Sequence, residues 1–169
     1  MYQIGDYIVK STSGVCQIRN IVNPDFVEDA KKLYYQLIPL SDEHATLYIP
    51  VDKKDNMMRP VMKESEAKEF IEKIPSIHEI WINNDKERES RYKEAIKSND
   101  PERIVGIIKL IYHRKKSREE QGKEITTVDE RYFDIAEKLL YSELEIVMKK
   151  DKDEIYDLIR KNCMGKGIE

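Results

Sequence analysis

The sequence has few of the residues from which common catalytic sites are built. It contains three histidines and six glycines among 169 residues. His44, His78 and His113 lack metal-ligand spacing, and the glycines form neither a phosphate-binding loop nor a GxGxxG or GxSxG motif. Because no catalytic, metal or cofactor site is visible, the sequence predicts a protein that is not an enzyme and that uses no cofactor, metal or small-molecule substrate.

Long apolar runs and cysteine motifs are also missing. No apolar run reaches the ~18 residues of a transmembrane helix, and the first residues do not resemble a signal peptide. Cys16 and Cys163 lie far apart without CxxC spacing, which favours two free thiols in a reducing compartment. The net charge of −3 argues against a wholly basic nucleic-acid-binding protein but allows a local basic patch. These features predict a cytoplasmic protein that does not enter a membrane.

The first 63 residues have the spacing of short β-strands separated by turns. Apolar side chains alternate along residues 33–38 and 46–51, and both faces of these two runs carry large side chains. Further strands are predicted at residues 7–9, 15–22 and, after a charged loop, 59–61. This pattern is typical of a small antiparallel SH3-like or Tudor-like β-barrel whose outer surface also binds a partner.

Residues 64–169 instead carry apolar side chains at the spacing of amphipathic α-helices. Asp100 before Pro101 marks one helix start, and the run Thr127-Val128-Asp129-Glu130 has the pattern of a capping box. Five helices are predicted, within residues 64–74, within 76–98, and from 101, 127 and 152 onward. The polar middle of the second stretch leaves open whether that helix is broken. The chain is therefore predicted to be a two-domain α+β protein, with a β-barrel at 1–63 and an all-α bundle at 64–169.

The clearest charge pattern is the run KLIYHRKKSR at residues 109–118, which has five cations and no acid. The cations are Lys109, Arg114, Lys115, Lys116 and Arg118. Five cations exceed what is needed to complement a helix dipole, so the run predicts contact with phosphate groups. A second basic group over residues 88–97 is interrupted by glutamates and is typical of a solvated helix face.

Trp81 is the single tryptophan of the chain. It stands next to Ile80 and just before a polar run that begins at Asn83. One interpretation is a core aromatic that fills the helical bundle. The other is an apolar wedge that is presented to a partner or to a DNA minor groove, and the residues alone leave both open.

Several segments, in order along the chain, resemble the CarD/CdnL family of bacterial transcription regulators. In the first half they are IGDYIV at 4–9, LYYQL at 33–37 and LYIPV at 47–51. In the second half they are RYK at 91–93, IKLIY with RKK at 108–116, DERY at 129–132 and AEKLLYSEL at 136–144. Each fragment alone is unspecific, whereas their order and spacing across both halves are similar to those of the family.

This resemblance implies a transcription regulator with two binding surfaces. Residues 1–63 would be a Tudor-like domain, shared with transcription-repair coupling factors, that binds the RNA polymerase β subunit by extending a β-sheet. The residues implied in docking are Tyr35, Tyr48, Ile49 and Pro50. Residues 64–169 would contact promoter DNA at the upstream edge of the melted region, stabilise the open complex, and keep the protein at the nucleoid through the polymerase. The residues implied in DNA contact are Trp81, Arg88, Arg91, Lys93, Arg114, Lys115 and Lys116.

Two positions depart from the family pattern. Arg88 stands where the family has its wedge tryptophan, and an arginine can also enter a narrow minor groove, so the wedge is either Trp81 or Arg88. Tyr48 stands where the family has a polymerase-contacting arginine. The sequence also leaves open a protein-interaction adaptor that uses the same barrel without DNA, and a third class, a nucleic-acid-processing enzyme.

Overall fold

The computed structural model describes residues 1–29, 31–52 and 58–165. The chain divides into two compact units, Met1–Val61 and Met62–Glu169. The predicted α+β fold class, with a strand-rich first part and a helical second part, is confirmed. Most of the charged loop that the sequence predicts before the last strand lies outside the described residues.

The N-terminal unit is a curled antiparallel sheet of five strands, which forms a half-barrel. The strands are β1 (Tyr7–Lys10), β2 (Gly14–Val22), β3 (Tyr34–Pro39), β4 (Leu47–Pro50) and β5 (Met58–Pro60). Their order across the sheet is β4-β3-β2-β1-β5, so β4 and β5 are the two edge strands. The inner face buries alternate residues of the strands, as a half-buried sheet requires. Its core consists of Ile8, Cys16, Ile18, Tyr35, Leu37 and Ile49.

The C-terminal unit contains five helices within the described part of the chain. They are α1 (Glu64–Lys73), α2 (Arg88–Lys97), α3 (Pro101–Glu120), α4 (Thr127–Met148) and α5 (Lys152–Gly165), with short 3₁₀ turns at Ile74–Ser76 and Asp85–Glu87. Each helix buries one apolar face in a shared core. Fully buried members of this core include Ala67, Tyr92, Ile107, Ile111 and Leu144.

Side-chain caps explain where the longer helices start. Asp100 Oδ1 accepts from the backbone N–H of Glu102 at 2.9 Å, as predicted for α3. The predicted cap of α4 is wrong by one residue, because Thr126, and not Thr127, accepts from the N–H of Asp129. Two adjacent threonines fit the same capping pattern, so the sequence does not distinguish them.

The second predicted helix is half wrong. Within residues 76–98, α2 and the 3₁₀ turn Asp85–Glu87 before it are helical, whereas residues 77–84 are not. Ile80 and Ile82 pack partly against the core, whereas Trp81 between them is exposed. Alternation of buried and exposed side chains is typical of extended backbone. The apolar residues that suggested a helix are equally compatible with such an extended segment.

Candidate functional site

The outer edge of β4 is the first candidate site, because its backbone groups are not used by the sheet. The N–H of Val51 donates to the carbonyl of Leu33 at 2.9 Å, and β3 and β4 pair Tyr34 with Pro50. Since hydrogen-bonded and non-bonded pairs alternate in antiparallel strands, the backbone groups of Tyr48 and Pro50 face away from β3. Within the described ranges, β4 has β3 as its sole strand neighbour. Pro50 lacks a backbone N–H, but the sheet loses no hydrogen bond because this position faces away from β3.

The four predicted docking residues lie on opposite faces of this strand pair. Tyr35 and Ile49 are cross-strand partners and are only 4% and 9% exposed. The Tyr35 hydroxyl accepts from the N–H of Tyr2 at 3.1 Å. Tyr48 is exposed and Pro50 partly exposed on the outer face. The docking role of all four residues stays a prediction, but burial confines Tyr35 and Ile49 to supporting the strand from inside.

The outer face also carries an aromatic residue that the sequence interpretation missed. Phe26 is 68% exposed and lies in the loop before β3. Its ring centroid is 5.2 Å from that of Tyr48 and 6.4 Å from that of Tyr34, in edge-to-face geometry. The one feature of the sequence that could have indicated this residue is a single phenylalanine within the acidic stretch NPDFVED.

Trp81 is the second candidate, and its interpretation as a core residue is wrong. The side chain is 82% exposed, and its Nε1 donates to Oδ1 of Asn83. The neighbouring residues Ile80 and Ile82 fix the backbone on the helical unit by packing against its core. A large, exposed indole on an anchored backbone is suited to contact another molecule.

The segment that carries Trp81 is held on α3 by two residues. Lys109 Nζ donates to the carbonyls of Ile74 and Ile77 at 2.7 Å each, and to that of Pro75 at 3.2 Å. Burial lowers the pKa of Lys109, which lies inside this cage of carbonyls. Gly106 allows the close approach, because an added Cβ would lie 3.0 Å from Cγ2 of Ile80. Lys109 therefore supports the fold through these carbonyls, and the contact of the basic run with phosphate groups stays a prediction.

Arg88 and Arg114 converge on the buried carboxylate of Asp129, which is 0% exposed. Arg88 Nε lies 3.0 Å from Oδ1, an ion pair and not an aligned hydrogen bond, and Arg114 Nε donates to Oδ2 at 3.3 Å. The Tyr92 hydroxyl donates to Oδ1 at 2.9 Å. Burial, together with this hydrogen bond, raises the pKa of Tyr92. Asp85 lies 3.1 Å from Arg88 and 3.3 Å from Arg114.

This geometry changes the interpretation of the two arginines. The Arg88 side chain is only 13% exposed and is held between two carboxylates. It joins α2 to the start of α4, and Arg114 joins α3 to the same point. Their DNA-binding role stays a prediction, but the described contacts make both of them structural links between helices.

The remaining predicted cations differ in their partners. Arg91 lies near Glu87 and Glu94, and Lys93 pairs with Glu89 at 3.1 Å. These are the ion pairs expected of a solvated helix face.

The end of α3 keeps the most accessible positive charge. Arg118 Nε donates to the carbonyl of Glu124 at 2.7 Å. Lys115 is exposed and lies 4.0 Å from Glu119. Lys116 is exposed and has no ion-pair partner among the residues that the structure describes. Of the five cations of the basic run, Lys115 and Lys116 are therefore the two that carry accessible positive charge.

The described residues contain no group of three or more His, Cys, Asp or Glu side chains that could hold a metal ion. Within the same residues, no helix is both long enough and apolar enough to cross a membrane. The prediction that the protein is not an enzyme stays a prediction.

The N-terminal unit matches a model of a known protein family. Residues 2–62 match the family model described as CarD-like/TRCF RID domain, and a comparison with curated proteins gave no match. The matched residues cover the five-stranded unit that contains the open β4 edge. The family is one of protein-interaction domains and supports an RNA-polymerase-interacting role. The strand-rich N-terminal unit of this chain is therefore similar to CarD-like/TRCF RID domains.

Proposed function

We propose that this protein is a bacterial transcription regulator that binds the β subunit of RNA polymerase through β4 and contacts promoter DNA through its helical unit. The observation that carries the proposal is the open edge of β4 in a domain of a polymerase-interacting family. A polymerase strand would pair with the outward backbone groups of Tyr48 and Pro50. In this binding mode the main chain supplies affinity and alternate side chains supply specificity.

Replacing Tyr48 with proline tests backbone pairing at this edge. The change removes an N–H that faces the partner and leaves the backbone hydrogen bonds to β3 intact. We expect polymerase binding to weaken at least about tenfold relative to Tyr48→Thr, which also lacks the tyrosine ring but keeps the N–H. Surface-immobilised polymerase core enzyme provides the measurement. Equal affinity of the two variants would show that β4 does not dock by strand addition.

The helical unit would contribute Trp81 as an apolar wedge, with Lys115 and Lys116 contacting phosphates. Insertion of a wedge between base steps requires unstacking, which costs a few kcal/mol. Where the DNA is already melted, the bases are already unstacked and binding does not incur this cost. Tighter binding to melted than to closed DNA shifts the equilibrium toward the open complex. Arg88 and Arg114 would act indirectly, by holding α2, α3 and α4 together.

Trp81→Ala is expected to shorten the lifetime of the promoter open complex by about tenfold relative to the unchanged protein. Because the side chain is 82% exposed, the thermal stability should stay unchanged. Tyr156→Ala is the matched control, since Tyr156 is an exposed aromatic of α5 in the same unit. Unchanged lifetime with Trp81→Ala, at equal polymerase occupancy, would remove Trp81 from the DNA contact.

A protein-interaction adaptor without DNA contact is the second candidate. It is favoured by the ion pairs that Arg88, Arg91, Lys93 and Arg114 form with acids, because these leave few cations for phosphates. The adaptor would bind polymerase without changing the open-complex lifetime. Its affinity for a promoter–polymerase complex would not depend more steeply on salt concentration than its affinity for polymerase alone.

A further inference from the structure

The outer face of β3 and β4 carries an aromatic cluster, defined here as Phe26, Tyr34 and Tyr48. The ring of Phe26 makes edge-to-face contacts with both tyrosines. Phe26 is 68% exposed and Tyr48 37% exposed. The inner face of the sheet has its own buried core, so the cluster is not needed to close the half-barrel.

The loop that presents Phe26 is held in place by its own hydrogen bonds. Asn23 Nδ2 donates to the carbonyls of Asp29 and Lys32, both at 2.8 Å. The N–H of Val27 donates to the carbonyl of Pro24 at 2.9 Å and closes a turn around Phe26. An exposed ring on a fixed turn is preorganised, and preorganisation reduces the entropy cost of binding.

The cluster is continuous with the docking edge. A strand that pairs with β4 would lie about 4.8 Å from it and would direct every second side chain to the face that carries Tyr48. Side chains on neighbouring strands contact their direct and diagonal neighbours. The partner side chain on this face would therefore contact Tyr48 and reach Phe26.

The chemistry of the surroundings indicates what that side chain is. Three rings offer an apolar surface, and Lys32 Nζ lies 5.9 Å above the ring of Tyr34. Exposed Asp25 and Glu28 flank Phe26 in the loop and would repel an acidic group. An aliphatic or aromatic side chain fits this surface best.

We infer that the polymerase segment that pairs with β4 presents an apolar side chain to the aromatic cluster, and that Phe26 is a specificity-determining residue of this docking site. The inference rests on the proposed docking of polymerase at β4. It adds a residue outside the strand and names the chemistry of the partner.

The test measures binding of the full chain to purified bacterial RNA polymerase core enzyme. We expect Phe26→Ala to weaken binding at least about tenfold and Phe26→Leu to weaken it less, because leucine keeps an apolar contact. The defect should persist at raised salt, since an apolar contact is not screened. Tyr7→Ala is the matched control, because Tyr7 is an exposed aromatic of β1 separated from β4 by two strands.

The outcomes separate the inference from the proposed function. If Phe26→Ala binds within about twofold of the unchanged protein while Tyr48→Pro binds at least about tenfold more weakly than Tyr48→Thr, the docking edge is correct and the role of Phe26 is wrong. If Tyr7→Ala weakens binding as much as Phe26→Ala, the effect is not specific to the cluster and the inference also fails. If the unchanged protein does not bind polymerase, the proposed function fails and the inference with it.

Discussion

Replacement of Asp129 by alanine is expected to destabilise the helical unit by about 3–5 kcal/mol. The carboxylate is fully buried and lies within 3.3 Å of groups from Arg88, Arg114 and Tyr92. Its removal leaves the largely buried Arg88 guanidinium with Asp85 as its remaining carboxylate partner among the described residues. It also leaves the buried Tyr92 hydroxyl without its acceptor, which adds a desolvation cost.

Chemical denaturation followed by helical ellipticity measures this effect, because the described helices all lie in the C-terminal unit. Asp134→Ala is the matched control, since Asp134 is an exposed acid of the same helix, and we expect a change within about 0.5 kcal/mol. A loss below about 1 kcal/mol for Asp129→Ala would contradict the structural role of the network. Arg88 and Arg114 would then again be candidates for direct DNA contact.

Lys109→Met is expected to destabilise the same unit by about 2–3 kcal/mol, the range for loss of charge-assisted hydrogen bonds. The ammonium donates to three carbonyls around the Ile74–Ser76 turn. Methionine fills the space of the lysine stem but donates no hydrogen bond. The carbonyls would then lack this donor, and the segment that carries Trp81 would lose an anchor.

Denaturation measures the stability change for Lys109→Met, with Lys116→Met as the control. Lys116 is an exposed lysine of the same helix and should change stability by less than about 0.5 kcal/mol. Tryptophan fluorescence of the folded protein adds a local readout at Trp81. A stability equal to that of the control would show that Lys109 does not cap the turn.

The sequence predicts the fold of this chain better than its charged sites. Strand alternation and helix spacing are local signals, and they located the β-strands and most of the helices. The error at residues 77–84 arose because Ile77, Ile80 and Trp81 fit a helix as well as an extended run. The contact of this run with Gly106 of α3 is a tertiary feature that no local pattern contains.

The basic run illustrates why a charge pattern does not reveal a binding surface. Lys109 and Arg114 are part of an acid-free run in sequence, yet the structure directs them to carbonyls and to Asp129. Asp129 lies 15 residues after Arg114, beyond the reach of helical neighbour rules. Phe26 was missed for a related reason, because its contacts with Tyr34 and Tyr48 come from the folded sheet and not from its own loop.

The most direct test of polymerase docking is co-elution of the full chain with purified bacterial RNA polymerase core enzyme in size-exclusion chromatography. The proposed strand addition at β4 predicts that the unchanged protein elutes with the polymerase, and that Tyr48→Pro co-elutes much less than Tyr48→Thr, which lacks the same ring. Elution of the folded, unchanged protein away from the polymerase would contradict the proposed function.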